Sequence, residues 1–191
     1  MKTTLSFGLF WLPSALIITL FAGLIYLVVQ QDMRQSANDP QIQVAEDMSR
    51  LLASGIAPQA IISNGTQTDV SQSLATFATI YDSSGNSVVS TGALGTSAPI
   101  LPQGVFTYTQ NHQEDRLTWE PQKGVRLAAI VEYYKSPTSS GFVLVARSIR
   151  EVEKRESTLG WEVFAVWIVA LLISFGTSFV RYSKKYVAVR V

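Results

Sequence analysis

Residues 75–92 read ATFATIYDSSGNSVVSTG, and this stretch decides the fold. Ala75 to Tyr81 is rich in β-branched and aromatic residues, Asp82-Ser83-Ser84-Gly85-Asn86 is a run of turn formers, and Ser87 to Ser90 begins a return strand. The pattern predicts a β-hairpin. Downstream, further strands are expected at Gly104–Tyr108, Arg116–Glu120 and Val125–Tyr134, the last two separated by Pro121-Gln122-Lys123-Gly124. A final strand, Gly141–Arg147, follows the turn-rich Ser136-Pro137-Thr138-Ser139-Ser140. Upstream, Asn38-Asp39-Pro40 supplies a cap and a first-turn proline. Val44, Met48, Leu51 and Leu52 then recur at helical spacing until Gly55 stops the run. One apolar stripe on a short helix must be buried against something, and the sheet is the available surface. The expected class is α+β, with helix packed on one face of an antiparallel sheet.

This soluble-looking middle lies between two apolar segments. Leu5 to Gln30 carries no charge over 26 residues, where about 20 suffice to cross the hydrocarbon core of a bilayer. A second uncharged run, Val163 to Val180, is flanked by Trp161 and Trp167 on one side and Tyr182 and Tyr186 on the other, as suits two membrane interfaces. The expected organisation is a short N-terminus (1–4), a first span (5–30), a central domain (31–158), a second span (159–180) and a basic tail (181–191). The first segment is longer than a signal-peptide core, and no small-x-small cleavage pattern follows it closely, so it is expected to stay as an anchor.

Charge alone does not orient the chain. Lys2, Arg181, Lys184, Lys185 and Arg190 stand in the tails, while Arg34, Arg147, Arg150, Lys154 and Arg155 stand near the membrane on the central side, five against five. Loop length breaks the tie, because segments much longer than about 60 residues translocate largely regardless of charge. Both termini are therefore expected in the cytoplasm, and the central domain outside the cell membrane. Where the domain ends, Ser148-Ile149-Arg150-Glu151 has the form of a capping box, with the serine hydroxyl accepting from the Glu151 amide. From Ile149 to Tyr182 no proline intervenes and Gly160 is the one weak point, so a single rod is expected from the last strand through the second span.

The succession of span, helix, IYDSSGNSVVSTG, strands ending in GFVLVARS, and IREVEKRESTLGW leading into a second span resembles the extracytoplasmic sensor region of bacterial two-span receptors. Those are the PAS-like or Cache-type domains of sensor histidine kinases and chemoreceptors. The resemblance implies a small ligand held against the sheet and a shift of the helix that enters the second span. The 11 residues from Arg181 to Val191 leave no room for a kinase, so output is expected to pass through a separate protein.

Catalytic chemistry finds little footing. The chain has no cysteine, which excludes disulfides, zinc knuckles, iron–sulfur clusters and thiol catalysis. Its 15 Lys and Arg against 14 Asp and Glu leave no large basic surface for nucleic acid. His112, the only histidine, sits in Asn111-His112-Gln113-Glu114-Asp115 without metal-ligand spacing and is expected in a solvated loop. No cofactor and no enzymatic activity are expected. Asn64-Gly65-Thr66 matches a glycosylation triplet that carries little weight in a bacterial ectodomain.

For ligand binding the candidates are Tyr81, Trp119, Arg126 and Tyr133. Alternation along Val125–Tyr134 puts Val125, Leu127, Ala129, Val131 and Tyr133 on one face and Arg126, Ala128, Ile130, Glu132 and Tyr134 on the other. The competing reading makes Trp119 and Tyr133 core, pairs Arg126 with Glu132 on a wet face, and lets Tyr81 close the hairpin. Expected partners are the lipid bilayer, a membrane signalling protein and a second copy of the chain. Small residues recur every fourth position at Ala15, Thr19 and Gly23 and at Ala170, Ser174 and Ser178, a spacing that permits close helix approach within or between chains. A structural scaffold or envelope-complex subunit without a ligand is the alternative function.

Overall fold

The computed structural model describes residues 2–36, 39–62 and 67–188. Asn38, the Asn64-Gly65-Thr66 triplet and Arg190 fall outside them, as do the side chains of Lys2, Lys185 and Tyr186. In chain order the elements are α1 (Lys2–Ser36), α2 (Asp39–Ala53), α3 (Pro58–Ile61), β1 (Thr68–Asp69), β2 (Phe77–Asp82), β3 (Ser87–Ser90), β4 (Gly92–Ala93), α4 (Gln103–His112), β5 (Glu114–Gln122), β6 (Val125–Lys135), β7 (Ser140–Ser148) and α5 (Arg150–Ala188). The chain divides into two compact units, Met1–Met33 with Lys154–Val191, and Arg34–Glu153.

The Arg34–Glu153 unit is α+β. Its main sheet has five antiparallel strands in the order β3-β2-β7-β6-β5, while β1 and β4 form a separate parallel pair. The expected hairpin is β2–β3. Asp82 organises its turn by accepting from the Ser84 and Asn86 amides at 2.8 and 2.9 Å, and these bonds, led by the one from Asn86, hold its carboxyl below the usual range. Gly85 takes φ +83° there, a conformation that disfavours a side chain. The central strand β7 pairs with β2 from Phe77↔Ala146 to Asp82↔Gly141 and with β6 from Leu127↔Ser148 to Lys135↔Ser140.

Both faces of this sheet are buried, which is why β6 and β7 are apolar on both sides of the alternation. On one face lie Phe77, Tyr81, Trp119, Leu127, Ala129, Val131, Phe142 and Leu144. On the other, Ala78, Ile80, Ile130, Tyr134, Val143 and Val145 meet Ala45, Met48 and Leu52 of α2. The face expected to be wet is therefore covered by helix. The stripe that α2 buries is also rotated from the expected one: Gln41, Ala45, Met48 and Leu52 are buried, whereas Val44 and Leu51 are exposed. The small Ala45 side chain lets the helix backbone come close to the sheet.

The segment expected as a strand at Gly104–Tyr108 is instead part of α4. Pro102, extended at φ −60° and ψ 138°, occupies the N-cap position. Phe106 and Thr109 share one buried face at a spacing of three, and Gln113, at φ +72°, ends the helix with its amide on the Thr109 carbonyl. Packing of that face against the sheet overrides the β propensity of Val105-Phe106-Thr107-Tyr108-Thr109. His112 is consequently the last residue of a helix rather than part of a loop, exposed and stacked on Tyr108 with ring centroids 4.0 Å apart. At the start of α5, Ser148 Oγ accepts from the Arg150 amide at 3.3 Å, not from the Glu151 amide.

In the other unit, α1 and α5 are long and apolar enough to cross a membrane. None of the most apolar window of α1 and only 6% of that of α5 is buried, so neither is the core helix of a soluble fold, and both are consistent with a membrane protein. The two helices run antiparallel: Phe7 approaches Phe179 (6.2 Å), Trp11 approaches Phe175 (5.6 Å), and Trp167 donates to Thr19 Oγ1 at 3.0 Å. Trp167 thus packs on the neighbouring helix, while Trp161 stays 70% exposed. Of the small residues on α5, Ser178 is buried, and Ala170 and Ser174 are half-buried.

A methyl group at Gly141 would stand 2.1 Å from the Tyr81 carbonyl oxygen and 2.9 Å from the Tyr134 hydroxyl. Gly141→Ala should therefore destabilise the sheet by at least about 1–3 kcal/mol, as overpacking does. Urea unfolding of the full chain in micelles, followed by near-ultraviolet circular dichroism, measures this loss.

Candidate functional site

Of the four candidate residues, the structure brings three together. Tyr81 on β2, Trp119 on β5 and Tyr133 on β6 belong to or pack on one apolar cluster on the α4 side of the sheet. Phe106 of α4 sits at its centre, 5.1 Å from the Tyr81 ring and 5.0 Å from Phe142, and Tyr133 adds a contact to Phe142 at 5.4 Å. These are the tilted and edge-on distances at which aromatic quadrupoles attract. Tyr81 is 2% exposed, and its hydroxyl donates to the Pro99 carbonyl at 3.0 Å. Burial pushes its phenol well above the ordinary range.

The cluster is filled by the chain's own side chains. A methyl at Gly85 would meet Phe106 at 2.9 Å, and one at Gly92 would meet Phe77 at 2.3 Å. Phe106 and Phe142 were not among the candidates. The signal that could have found Phe106 is its spacing of three from Thr109 behind a proline, read as helix.

Arg126 stands apart. By strand alternation it points to the α2 side, and it pairs with Glu153 in the first turn of α5. The expected pair with Glu132 is ruled out by strand geometry, since six residues along β6 span about 20 Å. Around Arg126 the start of α5 is fastened to the sheet. The Ile149 amide donates to the Arg126 carbonyl at 3.1 Å, and the Arg150 guanidinium donates to the Gln72 carbonyl at 3.0 Å. Only Ile149 separates the end of β7 from the start of α5.

The α2 side also holds polar groups in unusual settings. Gln41 is fully buried with both amide atoms unpaired, and the buried Nε of Arg147 likewise has no partner. Glu132 lies directly across from Glu114 in the β5–β6 ladder. Its carboxyl is raised above the usual range by burial, with Glu114 and Glu46 adding to the shift against a hydrogen bond from Ser49 and the charge of Arg50. No group of three or more metal-ligating side chains occurs among the described residues.

The arrangement defines an α+β unit carried by two apolar helices, with an aromatic interior on one sheet face and a tightly fastened helix leaving the central strand. No protein-family model matches the chain, and none of the curated proteins matches it.

The raised carboxyl of Glu132 binds a proton more readily in the folded than in the unfolded chain. Folding therefore weakens as pH rises from the ordinary carboxylate range through the raised folded value, and stays weakened above it. Glu132→Gln should add about 0.2–1 kcal/mol at pH 7, the scale of a like-charge pair across a ladder. Little or no gain should remain at about pH 3, where Glu132 is protonated. Urea midpoints for the two chains at both pH values test this.

Proposed function

We propose that this is a two-span membrane protein whose Arg34–Glu153 unit is an extracytoplasmic, PAS-like sensor domain. It binds a small ligand or a partner protein, and passes the event to a separate output protein through α5. The observation that carries the reading is the junction of β7 and α5. The central strand of the sheet leads into an apolar helix across one residue, and the helix's first turn is fastened by the Ile149–Arg126 hydrogen bond, the Arg126–Glu153 ion pair and the Arg150–Gln72 bond. A displacement of the sheet edge or of α4 on binding would reach α5 without a slack linker to absorb it. The strand order, with the hairpin at one edge and α2 across one face, supports the PAS-like assignment.

A second reading is favoured by the filled aromatic face. If Tyr81, Phe106 and Phe142 serve only as core, the unit is a scaffold or envelope-complex subunit that binds no small molecule. The two differ in what α4 does. Under the sensor reading, a ligand enters between α4 and the sheet, and hydrogen exchange in α4 and in the first turn of α5 slows together on binding. Under the scaffold reading no metabolite in a thermal-shift panel moves either segment. Fusions of a cytoplasm-dependent fluorescent protein and of a periplasm-dependent phosphatase decide sidedness. Fluorescence is expected for a fusion at the C-terminus, phosphatase activity for one in the Ser83–Ser84 turn, and the reverse pattern would defeat the assignment.

Arg126→Ala should loosen the fastening without unfolding the sheet, because an exposed pair contributes about 0–1 kcal/mol. Amide exchange at Ile149 to Glu153 is expected to speed up by roughly 2–5-fold while exchange in β7 holds. Equal acceleration in β7 would show that the pair supports the whole unit and not the junction.

A further inference from the structure

Gln41, in the first turn of α2, is fully buried with Nε2 and Oε1 both unpaired, and Arg147, near the end of β7, has its buried Nε unpaired. Arg147 shares a sheet face with Val143 and Val145, the residues that meet α2. The pitch of helix and strand brings the two orphans to one level. Ser49 hydrogen-bonds Glu132. From Ser49 to Ala45 to Gln41 each step along α2 is about 6 Å, and from Glu132 to Ile130 to Ala128 each step along β6 is about 6.6 Å. The β7 partners of those three strand residues are Val143, Val145 and Arg147. The direction of travel follows from the helices at either end. Thr19 bonds Trp167, and a methyl at Gly160 would meet Tyr26. That register, carried along both helices, sets Ser36 at the end of α1 level with Arg150 at the start of α5. α2 begins three residues after Ser36, so its first turn lies at the end of the sheet where β7 passes into α5.

The two groups are chemically complementary. Arg147 Nε–H can only donate, and Gln41 Oε1 is the one acceptor among the described buried side-chain atoms left without a partner on this face. The neighbouring Arg126 is already engaged with Glu153. A buried donor and acceptor left apart cost more than their hydrogen bond returns when made, so their separation is a standing drive toward pairing. We infer that Gln41 and Arg147 are the two halves of a latch, open in this structure. It closes when α2 tilts toward the end of β7 and Arg147 Nε–H donates to Gln41 Oε1. Small Ala45, one turn on, leaves the helix backbone close to the sheet and limits the movement to a tilt of the first turn. Closing ties the helix that follows α1 to the strand that enters α5. The latch goes beyond the sensor reading and is independent of it, since a scaffold could carry the same device.

The test uses the full chain in phosphatidylcholine nanodiscs. The protein has no cysteine, so Q41C/R147C introduces a single thiol pair. A short bis-maleimide should link that pair at least tenfold more than Q43C/R147C, whose first thiol stands on the exposed side of α2. Equal linking would overturn the placement. Q41E sets a carboxylate against the guanidinium and should hold the latch shut. Amide exchange at Ala45–Met48 and at Ile149–Glu153 is expected to slow together by about fivefold in Q41E, and not in Q41E/R147M. Slowing that persists without Arg147, or that is confined to α2, would overturn the latch. Should Q41E not fold, arginine labelled with nitrogen-15 reports directly. Arg147 Nε–H should exchange with water about tenfold more slowly in the unmodified chain than in Q41L, and equal rates would count against the pairing.

Discussion

The tie between β7 and its two neighbours constrains the rest of the Arg34–Glu153 unit. β7 is paired along its whole length with β6 and from Gly141 to Ala146 with β2, and Phe142 to Ala146 are all buried. Three helices are placed by this strand. α2 covers its Val143 and Val145 side, α4 covers its Phe142 and Leu144 side, and α5 continues from its end. Gly141 shows how tight the fit is, since even one methyl group there would collide with the backbone of β2.

Much of this was legible in the sequence because the signals are local. Asp82 and Gly85 specify a turn by their own chemistry, and the alternation in β6 correctly separates Leu127, Ala129 and Val131 from Ile130. The same alternation sets Tyr133 on the face opposite Arg126, but that Tyr81 and Trp119 share the Tyr133 face depends on the cross-strand registers of the folded sheet. What could not be read depends on packing between segments distant in the chain. Val105 to Thr109 favours strand by composition, and only the sheet face beneath Phe106 makes it helix. Which side of α2 faces inward turns on Gln41 and Ala45, and a buried, unpaired glutamine is not something a hydropathy pattern announces. The partner of Arg126 is Glu153, 27 residues away, on an element that the sequence placed but could not orient.

The two sheet faces differ in chemical character. The α4 side is aromatic: its Tyr81 hydroxyl is satisfied by Pro99, while Thr109 Oγ1 on the buried face of α4 has no partner. The α2 side is more polar, with Glu114 facing Glu132 across the ladder, Arg116 paired with Glu114, and the buried Gln41 amide lacking partners. A unit built only for rigidity has no need of such groups, since apolar residues of similar volume would pack as well. Their presence beside the strand that feeds α5 is a reason to look for binding events that would relieve them.

The bond between Trp167 and Thr19 has a consequence for how the helix pair can move. Thr19 Oγ1 donates to the Ala15 carbonyl at 2.8 Å while accepting from the Trp167 indole N–H, so its hydroxyl is fixed in orientation. The neighbouring contacts are ring edges, which tolerate sliding by fractions of an ångström. The indole contact is directional: sliding by more than a fraction of an ångström carries the N–H off the Thr19 oxygen. Twisting α5 about its axis therefore has a notch: the pair rests at one azimuth, and leaving it is a discrete click rather than a drift.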